Sequence, residues 1–103
     1  MRVPRAVRAI DPEGAELAAL AEVVDFADLR VLELGCGDGR LTRRYAHKAA
    51  FVLAADPDAT LIRRARRARS ADLRGRVRFA VAGANDIRVP RSSFDLVFFT
   101  WSL

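Results

Sequence analysis

Glu33, Gly35, Gly37 and Gly39 stand at alternate positions in the run Val31-Leu32-Glu33-Leu34-Gly35-Cys36-Gly37-Asp38-Gly39-Arg40. Glycine lacks a Cβ, so it adopts backbone angles that other residues avoid and lets a ligand lie directly on the main chain. An apolar strand that feeds such a turn into a helix builds a nucleotide-type pocket. Asp56 follows about twenty residues beyond the turn, at the end of a second apolar run. A carboxylate there accepts hydrogen bonds from both hydroxyls of a ribose. Capping the next helix is its alternative task, although Asp58 can fill that role. Asp56 therefore points to a nucleoside without naming it. Two other reactive groups are set aside. His47 is the only histidine and falls near a helix end, away from the strand ends where ligands bind. Cys36 lies inside the turn, where a small residue tolerated by tight geometry is the simpler reading than a nucleophile. No catalytic residue is assigned.

The elements that must position these residues follow from hydrophobic spacing. Asp11-Pro12-Glu13 is a helix start, and Leu17, Leu20, Ala21 and Val24 recur at helical spacing, which predicts a helix over about 12–24. Residues 30–34 form the first strand, the glycine turn follows, and a helix runs to about Lys48. Phe51-Val52-Leu53-Ala54-Ala55 is the second strand, a continuous apolar run of the kind buried on both faces. A helix over about 58–72 turns Leu61, Ile62, Ala65 and Ala68 inward and its arginines outward. Residues 77–81 give the third strand and residues 83–93 a short crossover. The fourth strand begins at Phe94 and ends at Thr100. Strands alternating with helices predict an α/β fold with a parallel sheet.

At 103 residues the chain is one domain at most, with residues 1–11 read as an N-terminal tail. No apolar run approaches the ~20 residues that span a bilayer, and Met1-Arg2-Val3-Pro4-Arg5 has no signal-peptide character. A single cysteine excludes an internal disulfide. These features predict a soluble cytoplasmic protein with no membrane partner. The net charge of +5 comes almost wholly from arginine, spread along the chain. The arginine-rich helix is read as a solvated face rather than a nucleic-acid patch, because no aromatic platform is interleaved with it.

The spacing Gly35-x-Gly37-x-Gly39 differs from the dinucleotide fingerprint G-x-G-x-x-G. With Glu33 before it, it closely resembles motif I of the class I S-adenosylmethionine-dependent methyltransferases. A zwitterionic, cationic ligand without pyrophosphate suits a turn flanked by an acid. The resemblance implies a Rossmann-like three-layer sandwich whose four parallel strands run in the order 3-2-1-4. It implies S-adenosyl-L-methionine as cofactor, bound by Glu33, Gly35, Cys36, Gly37, Gly39, Asp56, Pro57, Asp86, Ile87 and Thr100. Asp86 then accepts from the adenine amino group and Ile87 packs on the ring; the alternative for Asp86 is a loop carboxylate bonded to its own backbone. Phe94-Asp95-Leu96-Val97 resembles the family's fourth motif, with Thr100, Trp101 and Ser102 on the floor between cofactor and acceptor.

The resemblance covers about residues 12–103, and the family's fold carries about three further strands. The chain therefore reads as a partial, truncated methyltransferase domain. Its fourth strand is expected to be a bare apolar edge, open to self-association. The implied reaction is methyl transfer to a small-molecule acceptor that the sequence does not identify. Two alternatives remain: a non-catalytic binding or interaction module docking through the fourth strand, and, disfavoured by the glycine spacing and Glu33, a nicotinamide-dependent oxidoreductase fragment.

Overall fold

A computed structural model of the protein describes residues 7–10, 25–88 and 93–100. Five parallel strands form one sheet: β1 (Val7–Ile10), β2 (Arg30–Leu34), β3 (Phe51–Asp56), β4 (Val77–Val81) and β5 (Leu96–Thr100). Their spatial order is β1-β5-β2-β3-β4. The four strands expected from the sequence lie in the expected order. β1 is the addition. Residues 7–10, read from sequence as tail, pair in register with Val97 to Thr100. The apolar edge expected to be bare therefore carries a neighbour. Parallel pairing between segments some ninety residues apart in the chain leaves no local trace.

The apolar runs are buried on both faces of the sheet, as their composition requires. On one face Val31, Val52, Ala54, Phe79 and Phe98 join side chains from two helices, α1 (Arg40–Tyr45) and α2 (Ala59–Ala68). On the other face Leu32, Leu34, Ala55 and Phe94 form a second cluster, with Phe51, Val97 and Phe99 partly buried against it. The helix expected over 12–24 lies outside the described residues.

Both helices are shorter than their sequence periodicity suggests. α1 stops at Tyr45 because the next backbone groups take other partners. The amide of Lys48 bonds the carbonyl of Tyr45 at 3.0 Å, and the Lys48 carbonyl accepts from Asp28 at 3.3 Å. α2 starts at Asp58, whose carboxylate accepts from the amides of Thr60 at 2.9 Å and Leu61 at 3.2 Å. It ends at Ala68, where Arg69 turns to extended backbone and its guanidinium reaches the carbonyl of Val77 at 2.8 Å. Arg66 likewise donates to the carbonyl of Phe79 at 2.8 Å. Val77 and Phe79 lie on the edge strand, and the carbonyl of Arg76 points the other way, accepting from Val52 in β3 at 2.8 Å. Groups alternate in direction along a strand, so those of Val77 and Phe79 point out of the sheet. The α2 arginines thus cover part of the outer edge of β4, a use that the solvated-face reading did not foresee.

Candidate functional site

The glycine turn crosses the C-terminal end of the sheet between β2 and α1. The amides of Gly35 and Cys36 both donate to the carbonyl of Ala55, at 2.7 and 3.0 Å, which ties the turn to the end of β3. Gly35, Gly37 and Gly39 have φ values of 83°, 58° and 81°. Side chains rarely adopt such angles. The two later glycines do different jobs. A Cβ on Gly39 would lie 3.0 Å from Cζ of Phe79 and 3.3 Å from the Cβ of Ala65, so Gly39 lets the turn press against β4 and α2. A Cβ on Gly37 would meet only Cδ1 of Leu61, at 4.0 Å. Gly37 therefore leaves open space above bare main chain.

Asp56 closes this arrangement. Its Oδ2 accepts from the amide of Gly37 at 2.9 Å and its Oδ1 from the amide of Asp58 at 2.8 Å. The side chain is 5% exposed, so it is held rigidly at the rim of the open space. A carboxylate oxygen has two acceptor sites, so each oxygen keeps capacity for a further donor. Asp58 takes the helix-capping role, which leaves Asp56 to the turn. Pro57, directly after it, is exposed.

Glu33 lies beneath the turn. It is fully buried, and its Oε1 accepts from the hydroxyls of Thr42 at 2.7 Å and Tyr45 at 2.8 Å. Thr42 and Tyr45 sit three residues apart on α1 and so share its inner face. Sequence reading missed both. The available signal was a buried-strand carboxylate followed by two hydroxyl side chains at helical spacing, since a buried charge needs donors. Phe26 stacks on Tyr45 with ring centroids 4.4 Å apart. Burial, then the negative charge of Glu33, holds the Tyr45 phenol well above its ordinary range. Burial, then Glu33 and Asp56, likewise pushes the Cys36 thiol far up. Cys36 is a protonated core residue, in keeping with its reading as a small turn residue.

Asp86 and Ile87 follow β4. The amide of Ala82 donates to the carbonyl of Asp56 at 3.0 Å, so this loop leaves the sheet beside Asp56. Asp86 is exposed and accepts from the amide of Gly83 at 3.2 Å, the local bond that its alternative reading named. Ile87 is partly buried against the second apolar cluster. Thr100 ends β5 at the same end of the sheet. Trp101 and Ser102 lie outside the described residues. His47 is exposed in the turn after α1, and its carbonyl accepts from Arg76. No metal-binding group of histidine, cysteine or carboxylate side chains exists among the described residues. Among them, no helix is long and apolar enough to cross a membrane.

A bare, positive-φ turn beside a fixed carboxylate at the C-terminal edge of a parallel sheet fits a nucleoside ligand. Comparisons with known proteins specify the family. Residues 31–103 match the family model described as a methyltransferase domain. An uncharacterised methyltransferase of Mycobacterium bovis is 36% identical over 80 residues, covering 78% of this chain and 39% of that protein. The chain thus spans about 39% of the length of the curated relatives it matches. The crystal structure of an S-adenosylmethionine-dependent methyltransferase from Mesorhizobium loti superposes with a TM-score of 0.72 at 30% identity, over 84% of this chain and 40% of that one. A phosphoethanolamine N-methyltransferase of Haemonchus contortus, in complex with phosphoethanolamine and S-adenosylhomocysteine, gives a TM-score of 0.71 at 25% identity, over 82% of this chain and 18% of that one. The strand order, the glycine turn with its acids, and the family match together make this chain a member of the class I S-adenosylmethionine-dependent methyltransferases.

Proposed function

We propose that the chain forms the cofactor-binding part of a methyltransferase that uses S-adenosyl-L-methionine and delivers its methyl group to a small-molecule acceptor. The observation that carries this reading is the Asp56 carboxylate, bonded to the Gly37 amide at the edge of a cradle that only glycine leaves open. The bound cofactor would supply a methyl already activated by positive sulfur. The protein's share is then positioning and exclusion of water. Asp56 holds the sugar hydroxyls, the main chain of 35–39 supports the methionine part, and the buried charge of Glu33 lies below. Asp86 and Ile87 flank the base, and Cys36 contributes shape alone. The acceptor class draws support from the Haemonchus neighbour, whose own acceptor is small and polar.

Isothermal titration tests the proposal. S-adenosylhomocysteine binds the wild-type chain, and NADH does not. Asp56→Ala weakens binding by roughly 10- to 100-fold, the loss of hydrogen bonds to a charged group. Preference for NADH, or full affinity in Asp56→Ala, contradicts the reading.

A further inference from the structure

Glu33 is a fully buried carboxylate in an apolar strand. Its neighbours along β2 are Val31, Leu32 and Leu34, and its register partners are Ala54 and Phe98, both fully buried. A leucine at position 33 would continue this core with no charge to desolvate. Instead the chain buries a carboxylate beneath the glycine turn and supplies two hydroxyl donors from α1, both to the same oxygen. Thr42 is fully buried and Tyr45 nearly so, and neither reaches the cradle surface. Their hydroxyls hold one carboxylate oxygen in place within the core.

We infer that Thr42 and Tyr45 are positioning residues that fix the Glu33 carboxylate under the turn, so that the site distinguishes the cationic sulfonium ligand from its neutral thioether product. This rests on the cofactor reading above. S-adenosylmethionine and S-adenosylhomocysteine share the nucleoside, the amine and the carboxylate. They differ by one methyl and one positive charge at sulfur. A fixed negative charge in a region of low dielectric acts on that difference more strongly than it would in water. A hydroxyl that merely braced the turn would affect both ligands alike.

The test compares affinities for S-adenosylmethionine and S-adenosylhomocysteine in the full 103-residue chain. Tyr45→Phe and Thr42→Val each remove one donor to Glu33, and Thr42→Ser retains it. In Tyr45→Phe and Thr42→Val, S-adenosylmethionine binding falls about fivefold further than S-adenosylhomocysteine binding, and Thr42→Ser keeps the wild-type ratio. Equal loss for both ligands, or an unchanged ratio in all variants, overturns the inference and leaves the cofactor reading intact. Failure of the wild-type chain to bind either ligand overturns the cofactor reading and the inference with it. Should Tyr45→Phe not fold, Thr42→Val against Thr42→Ser decides the matter alone.

Discussion

Substituting alanine at Gly37 and at Gly39 should produce opposite phenotypes from the same chemical change. Both positions have positive φ, at 58° and 81°. An L side chain there costs about 1–2 kcal/mol. The stiffer unfolded chain of alanine offsets at most about 1 kcal/mol. The surroundings then separate the two. At Gly39 the new methyl meets the Phe79 ring at 3.0 and 3.1 Å and Ala65 at 3.3 Å. Phe79 and Ala65 are buried, so relief requires movement of α2 against β4. Overpacking of this kind costs about 1–3 kcal/mol. The sum is about 2–4 kcal/mol against a total stability of about 5–15 kcal/mol. At about 4–8 °C per kcal/mol for a domain of this size, Gly39→Ala lowers Tm by roughly 8–32 °C. At Gly37 the nearest atom is 4.0 Å away, so only the backbone cost of about 1 kcal/mol remains and Tm falls by about 5 °C. Its methyl, however, occupies the cradle and weakens S-adenosylhomocysteine binding by at least about tenfold. Thermal unfolding followed by circular dichroism, with titration of the ligand at a temperature where both variants are folded, measures both effects. Equal destabilisation by the two variants, or full ligand affinity in Gly37→Ala, would show that the cradle is misplaced.

The edge of β4 and the buried protons give two further expectations. Replacing Arg66 and Arg69 together by glutamine removes bonds of 2.8 Å to the carbonyls of Phe79 and Val77. The expected cost is about 1 kcal/mol for each, together with faster aggregation in light scattering as edge groups are uncovered. Unchanged stability and scattering would mean that the guanidiniums do not guard this edge. The second concerns alkaline pH. The Cys36 thiol and the Tyr45 phenol are both raised above their ordinary values of 9.0 and 10.0. The unfolded chain therefore loses these protons first. The associated stability is complete below about pH 9 and falls as pH rises, at about 1.4 kcal/mol per pH unit for each group whose unfolded form has ionised. Urea midpoints measured between pH 8 and 11 should decline first through Cys36, and Cys36→Ala should remove that early part. Coincident profiles for wild type and Cys36→Ala would refute it.

Local sequence carried most of the sheet. The third strand, residues 77–81, matches its expected bounds, and the second is longer by Asp56 alone. Continuous apolar runs bounded by polar residues announce buried parallel strands whatever their partners. β1 gave no comparable signal. Four residues with one arginine among them, just after Pro4-Arg5, have too little pattern to separate a strand from a tail. Their structure comes from the β5 edge, a tertiary cause that periodicity cannot contain. The helix ends were misplaced for a related reason. Ala46-His47-Lys48 is compatible with helix, but Asp28 and Arg76 take up the carbonyls of Lys48 and His47 from outside it. Competition from distant donors decides where such helices stop.

The site was legible to the extent that its geometry is written in glycines. Three positive-φ positions at alternate residues leave few turns open, so spacing alone located the cradle. Partners of the carboxylates were not legible, because sequence gives residue types and only the fold gives donors. Glu33 and Asp56 illustrate the difference. Both are acids at strand ends, and sequence treated both as ligand-facing. In the folded chain Asp56 stands at the rim with its oxygens on turn amides, whereas Glu33 is covered and bonded by two hydroxyls of α1. One carboxylate lies at the edge of the cradle and the other is enclosed beneath it. That division follows from strand position. The carboxylate of Asp56 comes at the last residue of β3, and that of Glu33 one residue before the end of β2, where the first turn of α1 closes over it. Asp56 lies two register positions beyond Ala54, the partner of Glu33, so two residues of strand separate a rim carboxylate from an enclosed one on the same face of the sheet, and only the pairing of β2 with β3 fixes the offset.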